Sequence, residues 1–471
     1  MSAPYDFGMI GLGVMGCNLL LNMADHGFAV AGFDLDATKI AALENSATSG
    51  TSVKGFPTLD AMIASLAIPR KLMMLVPAGK PVDDVLNNLL PLLQIGDVVI
   101  DGGNSHYTDT LRRVKFMQEK GIHFIGMGVS GGEQGARTGP SIMPGGDREA
   151  YAIVKPVLEA VAAKVNGNAC VAYLGKDAAG HYVKMVHNGI EYAIMQLISE
   201  TYWLLKHTMN YNNDQLHTVF KSWSEGPMQS FLLEITADIF LQPDDKSTNR
   251  LIDSILDKAG SKGTGKWTSQ DAMDLPVPIP VIDMAVSMRE LSSFKDERKQ
   301  IAALYPTGKE MDLATINFVT QLHDALYFST ILCYVQGLAM LQSSSSILKM
   351  DIPVDEVVRV WRGGCIIRSA LLEVFWKVFQ SNSQLTNLLM DENVATLLRP
   401  KEENLRAVII AATQRGLPVA ALMSALAYFD SYRSALLPTN LIQAQRDYFG
   451  AHTYQRTDNN GTFHTQWNSQ V

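Results

Sequence analysis

The segment Ile10-Gly11-Leu12-Gly13-Val14-Met15-Gly16 limits what this chain can fold into more than any other stretch. It follows an apolar run, Phe7 to Ile10, and opens a helical pattern through Leu19, Leu20, Met23 and Ala24. In a strand–turn–helix of this kind the first glycine permits a tight turn, the second lets a pyrophosphate approach the backbone, and the third lets helix pack on strand. The helix amino terminus then offers free N–H groups to phosphate. Asp34 closes the next apolar run, 18 residues past Gly16, where an acid can hold the adenosine ribose hydroxyls. An ordinary turn followed by a solvated acid would need none of this order. Gly11, Leu12, Gly13, Val14, Met15, Gly16 and Asp34 are therefore the expected dinucleotide contacts.

The rest of the first third supports an α/β Rossmann-type domain. Apolar runs at Phe28 to Phe33, Lys71 to Val76, Asp97 to Ile100 and His123 to Met127 alternate with helix-like stretches, as parallel strands with crossover helices do. Beyond Ala178 the texture changes to long segments with helical spacing, notably Ala178 to Met209 and Phe318 to Leu341, which predicts a large all-α domain. The stretch from His187 to Tyr192 faintly echoes the one from His323 to Phe328, as a duplicated helical unit would. After Pro438 the pattern ends in a polar segment, Thr457 to Val471, rich in Asn, Thr and Gln and expected to be loose unless something binds it. The expected division is residues 1–177, 178–438 and a tail, 439–471.

Two loops at predicted strand ends stand out, Asp101-Gly102-Gly103-Asn104-Ser105 and Val129-Ser130-Gly131-Gly132. Ligands of open α/β sheets gather at the carboxyl ends of strands, and consecutive glycines there expose N–H groups that can hold a carboxylate. The strongest unaided signal lies in Val183-Lys184-Met185-Val186-His187-Asn188-Gly189-Ile190-Glu191-Tyr192. At about 100° per residue, Lys184 and Glu191 fall within about 20° of each other, with His187 and Asn188 on the same side. A rise of about 10 Å separates them, so the two can face opposite ends of a small sugar acid. Apolar neighbours surround the stripe, so it is expected to be buried and to need polar partners. Gly189, which costs about 1 kcal/mol in a helix, suggests that something approaches the backbone there.

Composition excludes several classes. A formal charge of −8 argues against general binding to nucleic acid or anionic membranes, so an anionic substrate requires a local basic cluster. Lys262, Arg289 and Arg446 are candidates, although sequence alone does not bring them together. Cys17, Cys170, Cys333 and Cys365 lie far apart, with no Cys-x-x-Cys pair, which suits a reducing compartment. No signal-like start and no run of 18 uninterrupted apolar residues is present, and a cytoplasmic location is expected. No metal-ligand spacing and no Gly-x-Ser-x-Gly elbow appears.

Taken together the motifs resemble those of decarboxylating 6-phosphogluconate dehydrogenases, and the resemblance spans essentially the whole chain. Its telling segments are GLGVMG, LVPAGKPVD, DGGNS, GVSGGEQGAR, GPSIMPGG, GHYVKMVHNGIEY, KGTGKWT, WRGGCIIRS and NLIQAQRDYFGAHT. The resemblance implies that Lys184 takes the proton from the hydroxyl at carbon 3 and, as ammonium, protonates the developing enolate, with no metal ion. Glu191 would protonate carbon 1 of the enediol. Ser130, Gly131 and Gly132 would hold the substrate carboxylate, and Asn104, His187 and Asn188 its hydroxyls. Tyr192, Lys262, Thr264 and Arg289 would hold the phosphate, with Arg446 and His452 arriving from a second subunit of a homodimer. Val76, Ala78 and Asn104 would line the cofactor. Two alternatives are another β-hydroxyacid dehydrogenase, which would not need Arg289, Arg446 or His452, and a non-catalytic dinucleotide sensor, which would not need Lys184 or Glu191.

The same resemblance exposes a departure. Many members use NADP and have Asn-Arg-Thr after the aromatic residue matching Phe33, whereas this chain has Asp34-Leu35-Asp36. Where they continue Val-Lys-Ala-Gly, it reads Val76-Pro77-Ala78-Gly79. Two positive charges near the adenosine 2′-phosphate are gone, so NAD is the expected preferred cofactor, with NADP usable if Lys39 or Lys80 replaces the lost charge.

Overall fold

The computed structural model describes residues 4–305 and 317–467. Its first part is a seven-stranded sheet in the order β3-β2-β1-β4-β5-β6-β7. The strands are β1 (Phe7–Ile10), β2 (Val30–Phe33), β3 (Val53–Gly55), β4 (Lys71–Met74), β5 (Val98–Asp101), β6 (His123–Ser130) and β7 (Ser141–Gly146). All pairings are parallel except β6 with β7. Apolar side chains of β1, β4 and β5 are buried on both faces, which is why these strands read as continuous apolar runs. Strand order reverses between β1 and β4, leaving a crevice at their carboxyl ends where such sheets bind dinucleotides.

Two strands of this sheet are not legible as apolar runs. The edge strand β3 is only Val53-Lys54-Gly55 and exposes Lys54. The other, β7, carries Pro144, Gly145 and Gly146, a composition that suggests a turn. Proline is tolerated there because β7 is an edge strand. Its glycines serve packing: a Cβ on Gly145 would lie 2.2 Å from Gly180 N, and one on Gly180 would lie 2.2 Å from Gly126 O. The long helix Ala179–Thr208 therefore enters directly against β6 and β7.

The helical part is built around two 30-residue helices, Ala179–Thr208 and Phe318–Ile347, packed against each other. At their crossing a Cβ on Gly337 would overlap the Ile190 side chain. The helix Phe318–Ile347 is long and apolar enough to cross a membrane, but 83% of its apolar window lies inside the protein. The echo between His187 and His323 has a structural counterpart. Glu200 on the first helix accepts hydrogen bonds from Ala421 N and Leu422 N, at the start of helix Ala420–Tyr432. Gln336 on the second accepts one from Val281 N, at the start of helix Pro280–Ser292. His187 precedes Glu200 by the same interval as His323 precedes Gln336, so each long helix caps a short helix with its own equivalent residue.

The tail is more organised than its polar composition suggests. Helix Thr439–Gly450 is followed by an antiparallel bridge between Tyr454 and Phe463. Both are gathered on buried Asp447, which accepts from Thr453 N, His464 Nδ1, Thr465 N and Trp467 Nε1. A buried carboxylate satisfied by four donors substitutes for the apolar core that this segment lacks.

Candidate active site

The glycine turn has the geometry that its three positions require. Gly11 has φ +93°, and a Cβ there would lie 2.5 Å from Leu75 O. A Cβ on Gly16 would lie 1.9 Å from Gly11 O, so the third glycine is where helix Val14–Asp25 meets the strand. Beside Gly13 nothing lies within 4 Å, which leaves room for a pyrophosphate at an uncapped helix start. Leu12 N donates to Asp34 Oδ2 at 2.7 Å and Asp36 N to Asp34 Oδ1 at 2.9 Å. The crevice continues along Phe33, Leu35, Val76, Pro77 and Val85, an apolar slot suited to a flat base. Lys39 Nζ sits 3.5 Å from Asp34, and Lys80 is paired with Asp84. Met15 and Val76 are half-buried, and Val14, Ala78 and Asn104 are exposed.

The polar stripe on helix Ala179–Thr208 is buried, as its apolar neighbours require. Lys184 is 7% exposed, and its stem lies on Gly128 of β6, where a Cβ would approach Lys184 Cβ to 2.4 Å. His187 is fully buried and connects the group. Its Nδ1 lies 3.4 Å from Lys184 Nζ, 3.1 Å from Asn188 Oδ1 and 3.8 Å from Glu191 Oε2. Its Nε2 lies 3.3 Å from Ser130 Oγ, which also accepts a 3.4 Å hydrogen bond from Ile366 N. Gly131 and Gly132 follow with φ +129° and +63°, and open space surrounds Gly132.

Burial sets the protonation tendencies. It lowers the Lys184 pKa from the usual lysine value, against the opposing charge of Glu191. It raises that of Glu191, with Lys184 and Arg289 pulling the other way. Burial and then the Lys184 charge hold His187 well below the usual imidazole range, so it is neutral. An amine biased towards its neutral form and a carboxyl biased towards its acid form thus meet at one ring nitrogen, His187 Nδ1, the arrangement that acid–base chemistry near neutral pH needs.

Of the basic candidates, Arg289 alone is placed against Tyr192. The Arg289 guanidinium lies 3.6 Å from the centre of the Tyr192 ring, whose other neighbour is Gly265. Thr264, buried, opens helix Thr264–Asp274, and Lys262 is exposed just before it. Arg446 and His452 stand apart, exposed on the tail, where Arg446 donates to Gln443 Oε1 and His452 packs edge-on against Phe449. The group that approaches Gly189 is Thr268 of the same chain, not a ligand: a Cβ there would lie 2.7 Å from Thr268 Cγ2. Thr268 Oγ1 also donates to Met185 O at 2.9 Å. The glycine is a helix–helix contact, and on the same helix as Thr268, Gly265, next to Thr264, packs against Tyr192. Among the described residues no group of three or more His, Cys, Asp or Glu can hold a metal ion.

Comparison with known proteins gives this arrangement its kin. Residues 6–175 match the NAD binding domain of 6-phosphogluconate dehydrogenase, and residues 180–467 match the C-terminal domain of the same enzyme. The chain belongs to the 6-phosphogluconate dehydrogenase family. It is 49% identical to the NADP(+)-dependent decarboxylating 6-phosphogluconate dehydrogenase of Bacillus subtilis, over 98% of this chain and 99% of that one. To the NAD(+)-dependent decarboxylating enzyme of the same organism it is 45% identical, with the same coverage. The solved 6-phosphogluconate dehydrogenase of Plasmodium falciparum, studied with NADP+ and with 6-phosphogluconate, superposes with a TM-score of 0.95 at 42% identity, covering 98% of this chain and 100% of that one.

Within the family frame, several site-building residues lack an assigned role in the sequence reading. Trp361 packs edge-on against His187 at 5.7 Å. Gly364 presses its carbonyl against Gly131 and accepts from Ser141 N, so the motif WRGGCIIRS forms the wall behind the Ser130 loop. Arg113, 1% exposed, donates to Gly79 O, Asp83 Oδ1 and Ser105 Oγ, tying together two loops at the cofactor crevice. Trp361 and Gly364 lie far in sequence from the groups they support, as Arg113 does from Gly79 and Asp83, and no local spacing signals these contacts.

Proposed function

We propose that the chain oxidises 6-phosphogluconate at carbon 3 and decarboxylates it to ribulose 5-phosphate and carbon dioxide, with NAD as its preferred hydride acceptor. The observation that supports the chemistry is the approach of both Lys184 and Glu191 to Nδ1 of neutral His187, with burial biasing the amine and the carboxyl towards their uncharged forms. The glycine cradle and Asp34 fit a dinucleotide, which when bound supplies the hydride acceptor. Lys184 Nζ takes the proton of the hydroxyl as hydride leaves carbon 3. The ammonium so formed returns that proton to the developing enolate oxygen as the bond between carbons 1 and 2 breaks and carbon dioxide departs. Glu191 then protonates the carbon that lost the carboxylate. Ser130 with the N–H groups of Gly131 and Gly132 holds the carboxylate, and Asn104, His187 and Asn188 hold the hydroxyls. A lysine ammonium in this role makes a metal ion unnecessary, and chelators should leave turnover unchanged.

At the other end, Tyr192, Lys262, Thr264 and Arg289 receive the phosphate, joined by Arg446 and His452 of a second copy. A homodimer is supported by the tail helix, whose Leu441, Ile442, Tyr448 and Phe449 are all more than half exposed. The NAD preference rests on Asp34, whose carboxylate accepts from Leu12 N at the glycine turn, and on the run Asp34-Leu35-Asp36, which carries no arginine after Phe33. Four free cysteines fit a reducing, cytoplasmic setting. Substrate labelled at carbon 1 tests the reaction. Label should leave as carbon dioxide at the rate of cofactor reduction, whereas label retained in the sugar acid would indicate a simple hydroxyacid dehydrogenase.

A further inference from the structure

Tyr107, Tyr182 and Asp271 meet where the α/β part, the long helix and the phosphate-side helix come together. Tyr107 opens helix Tyr107–Gln118, directly after the Asn104 loop. Tyr182 lies two residues before Lys184. Asp271 belongs to helix Thr264–Asp274, whose first residue is Thr264. The Tyr107 O–H donates to Asp271 Oδ1 at 2.5 Å, and the Tyr182 O–H donates to Asp271 Oδ2. The two rings stand edge to face at 5.0 Å. Beside them His106 stacks on Tyr107 and meets Trp267, on the same helix as Asp271, edge-on at 4.9 Å.

This carboxylate is 7% exposed, and among the described residues no cation pairs with it. A buried carboxylate without a counter-ion depends on its hydrogen bonds, and here both come from phenols on elements of different parentage. Burial, reinforced by Asp271, pushes both phenols well above the usual tyrosine value, so they remain donors. Removing Asp271 takes away the acceptor shared by the two phenols and, with it, the hydrogen bonds that join the three helices at this point.

We propose that Asp271 is a positioning residue that holds the Asn104 loop, the Lys184 helix and the Thr264 helix in one register for hydride transfer. It touches no reacting atom and acts through Tyr107 and Tyr182. The inference rests on Lys184 being the base. Loss of this register is felt in the chemical step more than in binding, because a misplacement of about 1 Å can cost about 100-fold in rate.

The test compares Asp271→Ala, Asp271→Asn, Tyr107→Phe and Tyr182→Phe by steady-state kinetics, thermal midpoint and the primary deuterium isotope effect with substrate deuterated at carbon 3. Asp271→Ala should lower kcat by about 10- to 100-fold, leave both KM values within about threefold, and enlarge the isotope effect as hydride transfer becomes limiting. Each Tyr→Phe change should give an intermediate loss, and Asp271→Asn should recover part of it, because its amide oxygen still accepts from one phenol. A carboxylate that merely stabilises the fold would lower the thermal midpoint and leave kcat and the isotope effect at wild-type values, and that result overturns the proposal. A loss confined to one KM also overturns it. Should Asp271→Ala fail to fold, the two Tyr→Phe variants decide on the same criteria. Wild-type protein inactive on 6-phosphogluconate would instead remove the functional reading on which the proposal stands.

Discussion

Replacing Asp34 by asparagine isolates the charge proposed to set cofactor choice while keeping an acceptor for Leu12 N, now 2.7 Å from the carboxylate. A 2′-phosphate at the ribose would stand about 4 Å from that carboxylate, which costs about 4 kcal/mol per charge pair at an effective dielectric of 20. Lys39 Nζ, 3.5 Å from Asp34, offsets part of this. As a partly exposed pair it is worth about 0–1 kcal/mol, leaving about 3 kcal/mol against NADP. Wild-type protein should therefore prefer NAD by roughly 100-fold in kcat/KM. Asp34→Asn should lose most of that discrimination, about 10- to 100-fold, chiefly by improving the use of NADP. The assay is kcat/KM for both cofactors at saturating 6-phosphogluconate. Equal or better use of NADP by the wild type, or an unchanged ratio in Asp34→Asn, would refute the reasoning.

Glu200 tests the duplicated capping scheme. Burial raises its pKa to about 7 against hydrogen bonds from Ala421, Gln196 and Leu422, so the native state prefers the protonated form. Stability from this group is full below the unfolded glutamate value and is lost as pH rises to about 7, by about 3 kcal/mol. Glu200→Gln, which imitates Gln336, should be the less stable protein at pH 5 through loss of one acceptor and should gain on the wild type by pH 8. A difference in melting temperature that does not vary with pH would contradict this. In kcat/KM, the acid limb should follow protonation of Lys184 and the alkaline limb ionisation of Glu191, with both limbs inside the interval between the usual glutamate and lysine values. A profile unchanged by Glu191→Gln would remove its assignment. Deleting the chain from Asn440 should impair assembly and substrate binding together. Mixed dimers of Arg446→Ala with Lys184→Met should regain activity that neither homodimer has, and a fully active truncated monomer would exclude the shared site.

What could be read from the sequence was local in origin. The roles of Gly11, Gly13 and Gly16 follow from their order behind a strand, and the Lys184–Glu191 stripe follows from helical periodicity, because both signals lie within a dozen residues. Gly189 shows where such reasoning stops. Its presence in a helix was noticeable, but whether a ligand or Thr268 filled the space depended on an element some eighty residues away. The same holds for Asp271, Arg113 and Gly364, whose partners lie on other elements. The two unread strands of the main sheet failed for a different reason. The edge strand β3 is too short and polar to show a period, and β7 contains the proline and glycines that normally punctuate turns. In the tail, polar composition suggested a loose segment because the organising group is a single buried carboxylate, Asp447, and not an apolar stripe.

The central claim is that Lys184 is the base of an oxidative decarboxylation, and a single-turnover comparison of wild type with Lys184→Met tests it most directly. With excess enzyme, NAD and 6-phosphogluconate, the wild type should form reduced cofactor and carbon dioxide in equal amounts. Lys184→Met, shown by titration to bind the substrate and by melting to be folded, should form either product slower by about 100- to 10,000-fold. Near-normal turnover in that variant, or cofactor reduction by the wild type without release of carbon dioxide, would contradict the account.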